Sequence, residues 1–507
     1  MPRRRRWALL PAVLVCALLS GCFLADDGDP VSVEVEGGEL QGVARDDVRA
    51  YRGIPYAAPP VGDLRWRPPE PAAGWEGERD AEEFGDSCPQ PGAEGGLAEG
   101  TSEDCLYLNV WRPDTEADDL PVMVWLHGGG LTLGNGDLTD EIVRGTVADG
   151  VVLVSLNYRL GRLGYLAHPA LAAEQEADGE EQVANFGLLD QVAALEWVQE
   201  NIGEFGGDPH QVTIFGISAG GASVNFLMSS PRTEGLFARA VTGSGLGNEV
   251  TPTYEAAAEE GAAVMGSLPG GDTDDAAALR ELDVEEVALL PTYQLANQAP
   301  VLDSVLPASV SDTFAAGDEA PVPWIVGTTD RELLDPSFTF LGVDPVALRQ
   351  TFVAGLEESA LAAYGNAGTF DAHFLNDLVF TEPAARLAQQ HAERAPTWRY
   401  RFSITSEEGR AANDGAVHGA DYPYVFGDTE GDPQTPGSGA LAEQVNECWT
   451  TFATTATPDC GVDWPQADDG ALLDFTLEGP VVEEVDPWVA RLEVAAQALV
   501  RAGVGTE

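Results

Sequence analysis

Short unbroken apolar runs alternate along this chain with longer stretches in which apolar residues recur every three or four positions. Val122 to Leu126 (VMVWL) and Val151 to Asn157 (VVLVSLN) are near-continuous apolar runs, the pattern of strands buried on both faces of a sheet. Val212 to Gly216, Trp324 to Gly327 and Trp398 to Phe402 predict further strands. Asn185 to Ile202 predicts an amphipathic helix, because Leu188, Val192, Leu195 and Val198 recur at helical spacing and read as a core face. Another helix is predicted to start near Ala219. Strands alternating with helices predict an α/β protein with a mostly parallel sheet covered on both faces. Glu174 to Gln182 (EQEADGEEQ) reads as a solvated acidic loop without a role. No repeat and no strong internal linker divides the chain.

Composition narrows the function. Among 507 residues there are 26 basic ones, all arginine, against 84 acidic ones, for a net charge of −58. The 44% hydrophobic content supports a large packed core and excludes a disordered chain. Nucleic acid is excluded as a natural partner, since neutralising phosphates needs clustered basic residues. The acidity reads as a salt-tolerant surface and is silent about fold.

The first residues read as an address. Arg3 to Arg6 form a basic start, and Trp7 to Leu19 is apolar but short for a membrane span. Leu19-Ser20-Gly21-Cys22 resembles a bacterial lipobox, whose cysteine carries a diacylglycerol. The alternative is an ordinary export signal with a chance cysteine. The expected plan is a signal peptide over 1–21, a tether over 22–30, and one catalytic domain over 31–507. The mature chain would be anchored to a membrane of the cell envelope through lipid on Cys22, or else secreted. Of six cysteines, Cys16 leaves with the signal, and Cys88, Cys105, Cys448 and Cys460 remain for an oxidising compartment. They allow three connectivities, of which the local pairs Cys88–Cys105 and Cys448–Cys460 are expected. No metal is expected, because there is no CxxC and no nearby histidine cluster.

The candidate chemistry centres on Gly216-Ile217-Ser218-Ala219-Gly220, a G-x-S-x-G pattern between a predicted strand and a predicted helix. A serine hydroxyl needs a base to take its proton and a sharp turn to lift it clear of the sheet, and small neighbours permit that turn. Upstream, His127-Gly128-Gly129-Gly130 follows a strand directly. Consecutive glycines let backbone N–H groups face a cavity, and with the Ala219 N–H they form a candidate oxyanion hole. The six histidines are His127, His168, His210, His373, His391 and His418. His373 and His391 lie in or near helical stretches, whereas His418 occupies a glycine-flanked loop after a predicted strand and late in the chain, where such a hydrolase needs its base.

Several longer segments resemble the type B carboxylesterases, the group that includes bacterial para-nitrobenzyl esterases and cholinesterases. They are Arg52 to Gly62 (RGIPYAAPPVG), Ser102 to Val110 (SEDCLYLNV), Asn157 to Gly161 (NYRLG), Asn201 to Ser223 (NIGEFGGDPHQVTIFGISAGGAS) and Gly415 to Gly427 (GAVHGADYPYVFG). The resemblance runs from about residue 31 to beyond 480. It implies an α/β-hydrolase fold, a mostly parallel sheet with helices on both faces and large loop and helical insertions. It also implies a serine carboxylic ester hydrolase that forms an acyl-enzyme, needs no cofactor, and takes small-molecule esters. It maps the nucleophile onto Ser218, the acid onto Glu332 with Asp330 as the fallback, and the base onto His418. Oxyanion donors map onto Gly129, Gly130 and Ala219, a residue supporting the acid onto Ser244, and the first disulfide onto Cys88 and Cys105. Two departures stand out: Ile217 where the family has glutamate, and Leu333 where it has glycine. Two other functions share the scaffold, a non-catalytic cholinesterase-like binding module and a hydrolase using the same triad on amide or carbamate bonds.

Overall fold

The computed structural model describes residues 28–247, 251–290, 300–334, 344–428, 438–467 and 470–502. The expected signal peptide, Cys22 and most of the expected tether lie outside the described residues. Among the described residues a sheet of 13 strands runs through the molecule. In chain order they are β1 (Asp29–Val35), β2 (Gly38–Arg45), β3 (Val48–Pro55), β4 (Glu78–Asp80), β5 (Tyr107–Pro113), β6 (Leu120–Leu126), β7 (Val152–Leu156), β8 (Gly207–Ile217), β9 (Arg239–Gly243), β10 (Trp324–Thr329), β11 (Thr397–Phe402), β12 (Leu472–Thr476) and β13 (Gly479–Glu483). Their spatial order is β1-β2-β3-β5-β7-β6-β8-β9-β10-β11-β12-β13, with β4 on β2.

The sheet is mostly parallel, as expected, with antiparallel strands toward both edges. From β7 through β12 neighbours are parallel, while β1, β2, β3 and β5 join antiparallel on one side and β13 on the other. Antiparallel strands can leave one face to solvent, and the outermost β1 and β13 are largely unburied, whereas β3 and β5 are still buried on both faces. β1 also takes up Asp29 and Pro30, which pair with Ala44 and Val43 rather than belonging to the tether.

Each central strand feeds two cores by simple alternation. Val122, Val124 and Leu126 of β6 enter one cluster while Met123 and Trp125 enter the other. Val152, Val154 and Leu156 of β7 likewise oppose Leu153. This period of two is why the runs read as continuous apolar stretches. A third, smaller cluster sits apart and joins the helices Glu357–Tyr364 and Ala367–Asn376 to the C-terminal helix Val489–Ala502.

Two local expectations change. The helix Phe186–Asn201 buries Leu188, Val192, Leu195 and Val198 as predicted, but Asp190 and Gln191 are buried as well. It is therefore enclosed around most of its circumference, and Asp190 is neutralised by Arg159, whose Nε and Nη2 donate at 2.8 and 2.7 Å. The first half of the expected acidic loop, Glu174 to Asp178, is helical and ends the helix Pro169–Asp178. Four of the loop's five acids are paired: Arg280 with Glu174, Arg67 with Glu174, Asp178 and Glu180, and Arg232 with Glu181. The disulfides join Cys88 to Cys105 and Cys448 to Cys460. No helix of the described residues is long and apolar enough to cross a membrane.

Candidate active site

Parallel strands collect their carboxyl ends on one edge, and a crevice opens where the chain order reverses. Here β6 lies between β7 and β8, and register brings Leu126 level with Gly216, Ile217 with Gly243, and Gly243 with Gly327. The loops leaving β6, β8, β9 and β10 therefore emerge side by side, carrying His127, Ser218, Ser244 and Glu332.

Ser218 stands at a sharp turn between β8 and the helix Ala219–Ser229, with φ 63° and ψ −126°. A non-glycine residue there costs about 1–3 kcal/mol, and such strain clusters at functional sites. The turn is held by the Ser218 N–H donating to Gly243 O at 2.9 Å. Its glycines are sterically required: a Cβ on Gly220 would stand 1.9 Å from Leu126 O, and one on Gly216 would stand 2.4 Å from Gly220 C.

The glycine loop closes over this elbow. A Cβ on Gly128 would stand 3.3 Å from Ser218 Cβ, so the two segments touch. Gly129 has φ 106°, and its carbonyl accepts from the Leu133 N–H at 3.0 Å, folding the loop back on itself. Among the described residues the amides of Gly129, Gly130 and Ala219 donate to no protein acceptor. His127 is stacked on Tyr158 at 4.3 Å, and burial lowers its pKa to about 4. It is a neutral structural ring whose Nδ1 donates to Gly128 O.

The acid and histidine loops are zipped together. The Arg331 N–H donates to Ala416 O at 3.1 Å, and the His418 N–H to Glu332 O at 2.8 Å. Glu332 is buried; Oε1 accepts the Thr329 N–H at 2.9 Å, and Oε2 meets His418 Nδ1 at 2.5 Å. The fallback Asp330 has other work: it accepts the Ala416 N–H at 2.5 Å and Arg410 Nη1 at 3.1 Å. Burial alone would lower the His418 pKa, but the charge and hydrogen bond of Glu332, with the charge of Asp421, leave it above the ordinary imidazole value. The other histidines are occupied elsewhere or remote. His168 caps a helix through Ala170 N, His373 meets Asp414, His391 meets Glu319, and His210 lies exposed beside Asp208.

Ser244 is placed differently from its expected role. Its N–H donates to Gly327 O at 2.8 Å, its φ is 49°, and its hydroxyl is buried with no hydrogen-bond partner among the described residues. Thr329 and His418 hold Glu332 instead. Among the described residues no hydrogen bond joins the Ser218 hydroxyl to His418, and catalytic bonds of this kind often tighten only with substrate bound.

The chain matches the Carboxylesterase family over residues 29–362 and 366–484. It belongs to that family. The para-nitrobenzyl esterase of Bacillus subtilis (strain 168) is 35% identical over 489 residues, covering 90% of this chain and 96% of that protein. The fumonisin B1 esterase of Sphingopyxis macrogoltabida is 36% identical over 500 residues, covering 89% and 87%. A solved PNB esterase superposes with a TM-score of 0.77 at 34% identity, covering 92% of this chain and 99% of that one. This carboxylesterase is thus a carboxylic ester hydrolase on an α/β-hydrolase fold.

The site also holds a group that motif reading passed over. Asp421, three residues past His418, is buried; Oδ2 accepts the Tyr400 hydroxyl at 3.0 Å while Oδ1 has no partner among the described residues. Burial chiefly, then the charge of Glu332, raises its pKa to about 6. A Cβ on Gly243 would stand 2.9 Å from Ile217 Cγ1 and 3.4 Å from Asp421 Oδ2. A carboxylate from another loop thus lies near Ile217, the residue before Ser218. Its only sequence signal was an acid within the quoted histidine region.

Proposed function

We propose that this carboxylesterase works through a Ser218–His418–Glu332 triad and an acyl-enzyme, with Gly129, Gly130 and Ala219 as oxyanion donors. The observation that carries this reading is the 2.5 Å contact of buried Glu332 with His418 Nδ1, beside a strained serine and amides without protein acceptors. His418 Nε2 takes the Ser218 proton as Oγ attacks the ester carbonyl. Glu332 keeps the proton on Nδ1 and stabilises the imidazolium. The three N–H groups hold the oxyanion, and His418 gives its proton to the leaving alcohol. Water then enters by the reverse sequence and frees the acid.

Ser218→Ala should lower turnover of short-chain para-nitrophenyl esters by about 10⁴-fold or more while leaving the fold intact. Parent-like turnover by the folded variant removes the assignment. It would favour the non-catalytic binding reading, which lacks a use for paired Glu332 and His418. Amide and carbamate substrates stay within reach of the same triad; matched ester, amide and carbamate panels separate them.

We also propose that residues 1–21 are an export signal and that Cys22 carries lipid, holding the domain from about residue 31 at the cell envelope. The disulfides Cys88–Cys105 and Cys448–Cys460 fit an oxidising compartment. Cys22→Ser should move the enzyme from membrane to soluble fractions; unchanged membrane association counts against lipidation.

A further inference from the structure

The helices Ala367–Asn376 and Glu382–Ala392 are joined without a break by a single π-turn, Asp377–Thr381. Such turns are rare and recur at functional sites. This one touches both the acid loop and the base. Buried Asn376 accepts the N–H of Leu333, the residue after Glu332, at 2.5 Å through Oδ1, and donates through Nδ2 to Ala372 O at 3.2 Å. Four residues on, Phe380 sets its ring 5.3 Å from that of His418, tilted by 52°. Residues so spaced share one helical face, and here that face meets the two loops.

The turn is itself anchored from behind. Asp377 is buried and takes two 2.8 Å hydrogen bonds from Arg491 of the C-terminal helix and one of 2.6 Å from the Tyr364 hydroxyl. The Arg491 guanidinium also lies 4.1 Å from the Trp488 ring. Leu333 packs its side chain against the third apolar cluster, built by the same helices. A glycine there could make no such contact, so the departure at Leu333 has a structural partner in this chain.

We propose that Asn376 and Phe380 are positioning residues for ester hydrolysis: the π-turn holds the acid loop by the Leu333 amide and braces the imidazole with the Phe380 ring. The proposal rests on reading Glu332 and His418 as acid and base. Neither residue touches the reacting atoms. Each acts through the geometry of that pair, so its loss falls on kcat rather than on KM.

The test is a kinetic set on short-chain para-nitrophenyl esters with pH profiles. Asn376→Leu removes the acceptor at similar volume, and Phe380→Leu removes the ring. Each should lower kcat about tenfold with KM changed by less than about twofold. Asn376→Asp and Phe380→Tyr, which restore acceptor and ring, should recover most of the loss. In Asn376→Leu the acidic limb should also move to lower pH, because Glu332 and Asp421 are the charges raising the His418 pKa and Glu332 is loosened. Fluorophosphonate labelling should show the Asn376→Leu defect largely absorbed in a Glu332→Gln background, since both act through one contact. If Asn376→Leu does not fold, Phe380→Leu carries the same measurements. Parent-like kcat and pH profile in both folded leucine variants, or full additivity with Glu332→Gln, overturns the clamp alone. A parent-like Glu332→Gln overturns the acid assignment and the clamp with it.

Discussion

The two sides of this active site are built differently. The serine side is made by β6, β8 and the turns at their ends. Its groups, Gly129 and Gly130 after β6 and Ser218 and Ala219 after β8, come from segments far apart in sequence but stand directly at the ends of neighbouring strands, and its tolerances are backbone against backbone, as at Gly220 and Leu126 O. The side that carries the proposed acid and base is made by loops 86 residues apart, Glu332 and His418, which hold each other through two backbone bonds and lean on the helices around the third cluster. A rigid sheet edge can place a nucleophile alone. A pair of long loops needs cross-bracing, and the bracing residues lie outside any motif.

The sharpest way to break the comparison is on the acid side, where two neighbouring carboxylates have separate work. Glu332→Gln should lower kcat about 10⁴-fold, as for loss of a triad acid. Asp330→Asn, which weakens only the bonds to Ala416 N and Arg410, should change it by less than about tenfold and cost about 1–3 kcal/mol of stability in urea unfolding. Reversed magnitudes would exchange the two assignments. On the serine side Gly220→Ala should cost about 3 kcal/mol, because the new methyl meets a carbonyl in the sheet core with nothing flexible to yield; an unchanged melting temperature would show that the elbow is not so tightly built.

A smaller effect probes what joins the sides. Above about pH 6 Asp421 is ionised and adds to the charge that raises the His418 pKa. Asp421→Asn removes that charge, so the acidic limb of kcat/KM should move down by about one pH unit. The sign for stability is also set. A buried acid whose folded pKa is raised binds more protons folded than unfolded, so its contribution falls as pH rises from about 4 to 6. Asp421→Asn should therefore gain stability relative to the parent at pH 7 compared with pH 4, and equal differences at both values would refute the linkage. The smallest effect comes from the body of the protein. With a net charge of −58, added salt should shift the same limb a few tenths of a unit lower by screening distant acids, leaving the buried Glu332 contact in place; a limb fixed across salt concentrations removes that long-range contribution.

Legibility followed the same division. The central strands, the elbow and the glycine loop were readable because each is specified by adjacent residues: apolar runs, small residues at a sharp turn, consecutive glycines. His418 stood out from the other histidines by its glycine-flanked loop late in the chain, whereas Glu332 was reachable only through the resemblance of its segment to a family, since it carries no local pattern that separates it from Asp330. Ser244 shows the limit of such transfer, for its hydroxyl makes no bond to Glu332. The acidic stretch from Glu174 is exposed over most of its length as read, but its first half is helical, because charge marks solvent exposure and does not fix backbone conformation.

By itself the amino-acid order determined the α/β class, the parallel centre, the nucleophile turn and the overall negative charge, because these depend on periodicity, backbone sterics and composition over short spans. The tertiary structure alone decided which carboxylate meets the imidazole, that Asp421 stands near them, and that Asn376 bonds the Leu333 amide while Phe380 lies against the His418 ring. Those facts are distances between residues far apart in the chain, set by how loops and helices pack once the sheet has brought its strand ends together.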